Sequence, residues 1–259
     1  MRRGLARSRQ QAQADIIAGR VTVGGAPATK AARLVAPDEP LVVLGPPPRF
    51  VSRGGEKLDA ALERFDLPVA GLRVLDIGAS TGGFTDCALQ RGAATVVAVD
   101  VGYGQLHERL RADPRVEVHE RTNARDLRPG DLGAPAELLV GDLSFISLRT
   151  VLPTVLPLVV ERSDVVLLVK PQFEAGREEA ARGRGIITDP GIWRRVLGEV
   201  TGALEGAGTA IMGAMTSPLT GADGNVEFLV HARTGSPGSA DQSAELLDAA
   251  LAEAIRGRG

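Results

Sequence analysis

The sequence predicts an α/β fold built on a doubly wound, mostly parallel sheet and preceded by a small α+β module. Three observations carry that expectation. From Lys57 onward, short apolar runs alternate with helix-patterned segments. A glycine-rich loop follows the first of those runs and opens a helix, the arrangement found at the carboxyl edge of an open sheet. Ahead of this body stands a short basic segment, set off by the stiff stretch Gly45-Pro46-Pro47-Pro48.

The elements follow in order. Residues 5–19 carry few helix breakers and read as a helix ending at Gly19. Val21-Thr22-Val23 runs into Gly24-Gly25, a hairpin signal, and Leu41-Val42-Val43-Leu44 is a second short strand. Beyond the prolines, Lys57 to Phe65 is helical in pattern, Val74 to Gly78 is a strand, Thr85 to Arg91 a helix, and Thr95 to Asp100 a buried strand ending in an acid. Further strands are expected at Val116–His119, Leu138–Asp142, Val165–Lys170, Ala210–Met215 and Glu227–His231, with helices over 147–160 and 190–206. Gly235 to Gln242 reads as a linker leading to a short amphipathic helix near Ile255. No internal repeat is present. The expected organisation is a small module at 1–45, a linker at 46–52, an α/β body at 53–235, and a linker with a terminal helix at 236–259.

Composition narrows the function classes. With 44% hydrophobic and 24% charged residues, 259 residues suffice for a buried core. The single cysteine, Cys87, excludes a disulfide scaffold or a Cys-rich zinc site and reads as a small buried hydrophobe. His107, His119 and His231 show no ligand spacing and receive no role, so no metal is expected. The first residues lack the apolar stretch of a secretory signal, and the run Val151 to Val160 is short and broken by Pro153 and Pro157. A soluble, cytoplasmic protein without stable membrane insertion is expected. The net charge of −2 hides an asymmetry. Residues 1–36 hold Arg2, Arg3, Arg7, Arg9, Arg20, Lys30 and Arg33 against the single acid Asp15, which leaves +6 there and −8 in the remainder. A basic module on an acidic body suits a division between phosphate contact and chemistry.

The loop Asp76-Ile77-Gly78-Ala79-Ser80-Thr81-Gly82-Gly83-Phe84 lets a ligand approach the backbone closely. Asp100 lies 22 residues after Gly78 at the end of the next strand, where a carboxylate accepts both hydroxyls of a ribose. Ser80 breaks the Gly-x-Gly-x-x-Gly dinucleotide fingerprint, and no Walker lysine follows Gly83. S-adenosylmethionine therefore fits better than NAD or ATP. The expected cofactor contacts are Asp76, Gly78, Ser80, Thr81, Gly82, Gly83, Phe84, Asp100 and Asp142, with Asn123 as an adenine contact.

Four polar residues stand at strand ends or segment starts: Lys57 in Ser52-Arg53-Gly54-Gly55-Glu56-Lys57, Asp142 in Gly141-Asp142-Leu143-Ser144-Phe145, Lys170 in Val169-Lys170-Pro171-Gln172-Phe173-Glu174, and Glu227 in Asn225-Val226-Glu227-Phe228. At these motifs, and over nearly its whole length, the sequence resembles the TlyA family of bacterial ribosomal RNA 2′-O-methyltransferases, also labelled haemolysins. Segments 51–58, 74–91, 99–106, 120–127, 141–148, 169–177 and 217–229 carry the likeness. The amino-terminal part is similar to an S-four type RNA-binding domain through Ala6-Arg7-Ser8-Arg9 and Ile17-Ala18-Gly19-Arg20-Val21, and Arg49-Phe50-Val51 resembles the family's interdomain linker. The family usually carries several more residues before Arg2-Arg3-Gly4-Leu5, which implies a truncated first helix here.

The resemblance implies a Rossmann-like methyltransferase body of the FtsJ type acting on ribosomal RNA in ribosomal subunits, with a cytidine ribose as the acceptor. It also implies a Lys-Asp-Lys-Glu tetrad, which falls on Lys57, Asp142, Lys170 and Glu227 with none replaced. The chemistry is consistent. A ribose 2′-hydroxyl is a poor nucleophile near neutral pH, so a positioned base must take its proton as the methyl moves. A lysine can do so when its basicity is reduced by burial or by a second cation such as Lys57, while Asp142 and Glu227 hold the ammonium groups. Arg7, Arg9 and Arg20 are the expected phosphate contacts. Phe145 or Phe173 is a candidate to stack on a target base drawn out of its helix. Two other readings of the chain are a non-catalytic RNA-binding or ribosome assembly factor, which the intact tetrad disfavours, and a membrane-active haemolysin-like protein, which the lack of an apolar span disfavours. A small-molecule methyltransferase is the reading left if the short first domain does not fold.

Overall fold

A computed structural model of the chain describes residues 3–6, 9–17, 19–45, 48–221, 223–236 and 238–257. The chain forms two compact units, Met1–Arg49 and Phe50–Gly259. In the first, helix α1 (Arg9–Ile17) precedes a three-stranded antiparallel sheet ordered β2-β1-β3, made of β1 (Val21–Val23), β2 (Ala26–Pro27) and β3 (Leu41–Val43). Gly24 and Gly25, both at positive φ, make the β1–β2 turn. The core is small: Val21, Val23 and Ala28 are buried under Ile16, Val35, Leu41 and Val43. The helix begins later than the sequence suggests, since Gly4 and Leu5 lie in a bend and Gly4 has a positive φ that interrupts helical geometry.

The second unit follows the expected alternation. Its elements are α2 (Gly54–Arg64), β4 (Arg73–Ile77), α3 (Gly83–Gln90), β5 (Thr95–Val99), α4 (Glu108–Arg111), β6 (Val116–His119), β7 (Ala136–Gly141), α5 (Leu148–Val155), β8 (Val159–Val169), α6 (Pro171–Glu174), α7 (Arg177–Arg182), α8 (Pro190–Gly206), β9 (Thr209–Thr216), β10 (Phe228–Thr234) and α9 (Ala240–Arg256). The seven strands are ordered β6-β5-β4-β7-β8-β10-β9. The pairs β4–β5, β4–β7, β5–β6 and β7–β8 are parallel, and β10 runs antiparallel to both β8 and β9. A mostly parallel sheet covered on both faces should have strands that read as unbroken apolar runs. This one does. Along β4, β7 and β8, Leu75, Leu139 and Leu167 enter one core cluster, while Val74, Leu138 and Val166 enter the other. The first face packs Trp193, Val196, Leu197 and Val200 of α8 with Leu247, Ala250 and Leu251 of α9, and the second packs Leu58 and Leu62 of α2 with Phe84, Cys87 and Ala88 of α3.

Three local differences have physical causes. The strand expected at Val165–Lys170 begins six residues earlier, at Val159, because the apolar run before it turns into the ladder after Pro157 rather than continuing a helix. The stretch read as a linker to Gln242 is already helix from Ala240, because Ser239 accepts from the Gln242 amide as an N-cap. The terminal helix is therefore 17 residues long and packs into the core rather than extending from the body. The single cysteine, Cys87, is fully buried.

Candidate active site

The carboxyl ends of the parallel strands bring the sequence's polar candidates together. After β4, the chain turns sharply: Gly78 adopts φ +80°, and its amide donates to Val99 O at 2.8 Å. A Cβ at Gly78 would stand 2.7 Å from the Asp142 carbonyl oxygen, so only glycine lets this loop lie against the end of β7. Ser80 also has a positive φ, and its amide donates to Asp100 Oδ2 at 2.7 Å, while Gly102 N donates to Asp100 Oδ1 at 2.7 Å. Asp100 thus shapes the loop that it was expected to serve. Gly82, at φ +94°, is a packing glycine; its Cβ would meet Leu110 Cδ1 at 2.2 Å. Gly83 is pressed against Ser52 Oγ and the Gly55 amide in the same manner.

A cleft of about 350 Å³ opens above this loop, lined by Gly78, Ser80, Thr81, Gly83, Phe84, Lys57 and Asp142 among the sequence-predicted residues. Ser52, Arg53, Gly54 and Ala79 line it as well. Sequence reasoning gave the first three of these no role, although they lie directly before Lys57 in a motif it had singled out. Asp76, Gly82, Asp100 and Asn123 are not part of that lining. Asn123 accepts from the Arg125 amide at 3.1 Å and closes a local turn. Asp76 sits beneath the loop, fully buried. Thr85 Oγ1 donates to its Oδ2 at 2.6 Å, and its Oδ1 has no hydrogen-bond partner. Burial pushes its carboxyl from 3.8 up to about 7, opposed by the Thr85 bond and reinforced by the charge of Asp142.

The four candidate catalytic residues form two ion pairs. Lys57 on α2 is buried and paired with the buried Glu227, just before β10. Lys170 ends β8 because Pro171 both restricts it to an extended conformation and starts α6. Its Nζ donates to Ser144 Oγ at 2.8 Å and lies 2.5 Å from Asp142 Oδ1, an ionic contact without hydrogen-bond alignment. Lys57 and Asp142 line the cleft, so each pair contributes one member to it, whereas Lys170 and Glu227 stand behind those two and are not part of the lining. Ser144 is a further partner of Lys170 that sequence reasoning missed; its place in Asp142-Leu143-Ser144 was the available signal. Beside this site, Phe145 is 91% exposed at φ +64°, with its ring 5.0 Å from that of Phe173. Lys170 Nζ lies 5.8 Å from the Phe173 ring. Such an exposed aromatic in a left-handed conformation is costly to keep without a use. Phe84 and Phe228 are core residues.

In the first unit, Arg9 is exposed, whereas Arg20 lies 3.5 Å from the buried Asp15 and is partly committed to it. Arg3 braces the loop at 36–39 by donating to Glu39 O and Pro37 O at 2.6 and 2.9 Å. Arg7 lies outside the described residues. Of the histidines, His107 caps α4 by accepting from Arg109 N, and His231 pairs with Asp164 at 2.7 Å. Among the described residues, no three His, Cys, Asp or Glu side chains gather as metal ligands, and no helix is long and apolar enough to cross a membrane.

Residues 50–234 match the family model for FtsJ-like methyltransferases, and residues 2–41 match that for S4 domains. The chain is 51% identical over 235 residues to the 16S/23S rRNA (cytidine-2′-O)-methyltransferase TlyA of Mycobacterium tuberculosis, spanning 90% of this chain and 87% of that one. It is 38% identical to Hemolysin A of Brachyspira hyodysenteriae, over 88% of this chain and 95% of the relative. A solved structure titled as a hemolysin from Streptococcus thermophilus superposes with a TM-score of 0.79 at 40% identity, covering 99% of this chain and 95% of that one.

Proposed function

The chain belongs to the TlyA family of FtsJ-like methyltransferases, and from that premise we propose that it transfers a methyl group from S-adenosylmethionine to the 2′-hydroxyl of a cytidine ribose in ribosomal RNA, in the cytoplasm where that RNA is assembled. The observation that carries the reading is a cleft beside a glycine cradle that is lined by one member of each of two lysine–acid pairs, Lys57 of the pair with Glu227 and Asp142 of the pair with Lys170. The cradle suits the cofactor: the loop is held flat against β7 by a glycine that no other residue can replace, and a buried carboxylate oxygen beneath it has no protein partner. When bound, S-adenosylmethionine supplies an electrophilic methyl on a sulfonium, so the residues need only align the acceptor and move one proton.

Lys170 is the residue assigned that proton. Its Nζ stands at the end of β8, one strand beyond β7, and Asp142 and Ser144 fix its direction toward the cleft that Asp142 lines. Lys57, held by Glu227 and lining the same cleft as Asp142, supplies a second positive charge for the negative charge that develops on the ribose oxygen. Asp100 keeps a lone pair on each oxygen for ribose hydroxyls in addition to the two amides it accepts. Phe145 and Phe173 offer the target base a stacking surface. The S4 unit, through Arg7, Arg9 and Arg20, is assigned the sequence-independent grip on phosphates. The test is transfer of labelled methyl from S-adenosylmethionine to purified ribosomal subunits, followed by mapping of the modified nucleotide. A 2′-O-methylcytidine is expected. Subunits that acquire no label, or label on a base rather than a ribose, would overturn the reading.

A further inference from the structure

The acceptor side of the proposed site is carried by two loops. One, after β7, holds Asp142, Ser144 and Phe145; the other, after β8, holds Lys170 and Phe173. They touch at Lys170 with Asp142 and Ser144, and at the Phe145–Phe173 ring pair. Both contacts border the cleft or solvent, and both involve groups that a substrate must engage. A third contact lies underneath. Glu174 closes α6 and is buried to 4% exposure. Its Oε2 accepts from Ser147 Oγ at 2.5 Å and its Oε1 from the Leu148 amide at 2.6 Å, at the N-terminus of α5. Arg149 Nη2 donates to the Glu174 carbonyl at 3.1 Å, and Arg149 Nε lies 3.5 Å from its carboxylate.

Helix α5 does not need this carboxylate for a cap, because Ser147 Oγ already accepts from Arg149 N at 3.2 Å. What Glu174 adds is a link between loops that are 26 residues apart in sequence at the Leu148 contact. A buried carboxylate is expensive unless its donors are aligned, and here both oxygens are satisfied by the opposite loop. Resting on the methyltransferase reading, we propose that Glu174 is a positioning residue for the acceptor ribose. By holding the start of α5 against α6, it sets Phe145 on Phe173 and Lys170 on Asp142 and Ser144 at once, so that the base platform and the proton acceptor keep one spacing. It does not touch the cofactor loop.

The experiment measures kcat and KM for ribosomal subunits, and cofactor affinity by calorimetry, in the wild type, Glu174→Ala and Glu174→Gln. Loss of the link should lower kcat about tenfold or more, the scale of misplacement by a fraction of an ångström to an ångström. S-adenosylmethionine affinity should stay within about twofold of wild type, a split that general unfolding would not produce. Glutamine keeps one acceptor for Leu148 N and can donate to a rotated Ser147 hydroxyl, so Glu174→Gln should recover most of the rate. In a Phe145→Leu background the cost of Glu174→Ala should shrink, because the two substitutions remove parts of one arrangement. Should the alanine variant not fold, Glu174→Asp, whose shorter side chain cannot reach both Ser147 Oγ and Leu148 N, carries the same comparison. A wild-type kcat in Glu174→Ala, an equal loss of cofactor binding, or fully additive effects with Phe145→Leu would overturn the role of Glu174 while leaving the enzyme reading intact. A wild type that methylates no ribosomal subunit would overturn both.

Discussion

Asp76 makes a quantitative prediction about what the cofactor site costs the fold. It is the last but one residue of β4, with one oxygen bonded to Thr85 and the other without a partner, in full burial. Its carboxyl is raised from 3.8 to about 7, first by burial, with the Thr85 bond opposing and Asp142 adding. An acid whose pKa is higher in the folded chain keeps its proton there after the unfolded chain has lost it. The folded state then binds more protons between about pH 4 and pH 7, so stability declines across that window and levels off above it. A gap of about three pH units corresponds to roughly 4 kcal/mol. Asp76→Asn removes the titration and keeps an acceptor for Thr85. Denaturant unfolding should therefore show the variant more stable than wild type at pH 8 by up to about 4 kcal/mol, with the two converging near pH 4. A stability difference that stays constant from pH 4 to pH 8 would refute the reasoning, as would a variant that is less stable at pH 8.

Three further outcomes follow from the geometry. Asp100→Ala should weaken S-adenosylmethionine binding by about 3 kcal/mol, the scale of two hydrogen bonds to a charged acceptor; unaltered affinity in calorimetry would remove Asp100 from the site. Replacing Arg7, Arg9 and Arg20 with alanine should flatten the salt dependence of RNA binding without changing cofactor affinity. Because Arg20 already leans on Asp15, Arg9→Ala should account for more of the change than Arg20→Ala. Phe145→Leu should lower RNA affinity more than Phe173→Leu, because Phe145 presents the exposed ring; unchanged binding in both would remove the stacking surface.

Much of the body could be read from the chain because its strands are buried on both faces. The strands β4, β5 and β7 came out within two residues at either end, since a buried apolar run bounded by turn residues has few other uses, and the half-buried edge strand Val116–His119 came out to the residue from its alternation of Val with polar residues. The four-residue helices α4 and α6 and the six-residue α7 were not legible, because one or two turns carry too little periodicity to be separated from loop. Placement at strand ends or segment starts drew attention to Lys57, Asp142, Lys170 and Glu227, and only the family resemblance joined them into a tetrad. Which acid meets which lysine depends on strand order, and a linear sequence does not contain that: β10 lies next to β8 although β9 intervenes in the chain. The charge count of the first segment overstated its free cations, because Arg3 and Arg20 spend their guanidinium groups on the module's own loops and on Asp15. Glu174 and Ser144 acquire meaning only from contacts 26 residues away in sequence.

The central claim, that Lys170 takes the 2′-hydroxyl proton as the methyl moves, is tested most directly by single-turnover methyl transfer to ribosomal subunits with Lys170→Ala and Lys170→Arg. Both variants should fold, bind S-adenosylmethionine and bind RNA as the wild type does. Lys170→Ala should lose the rate of transfer by at least the ~10²–10⁴-fold that removal of a general base produces. Lys170→Arg should be nearly as slow, because arginine retains the charge facing Asp142 but does not give up a proton near neutral pH. Wild-type turnover in Lys170→Arg would show that the position supplies charge alone, and wild-type turnover in Lys170→Ala would contradict the account.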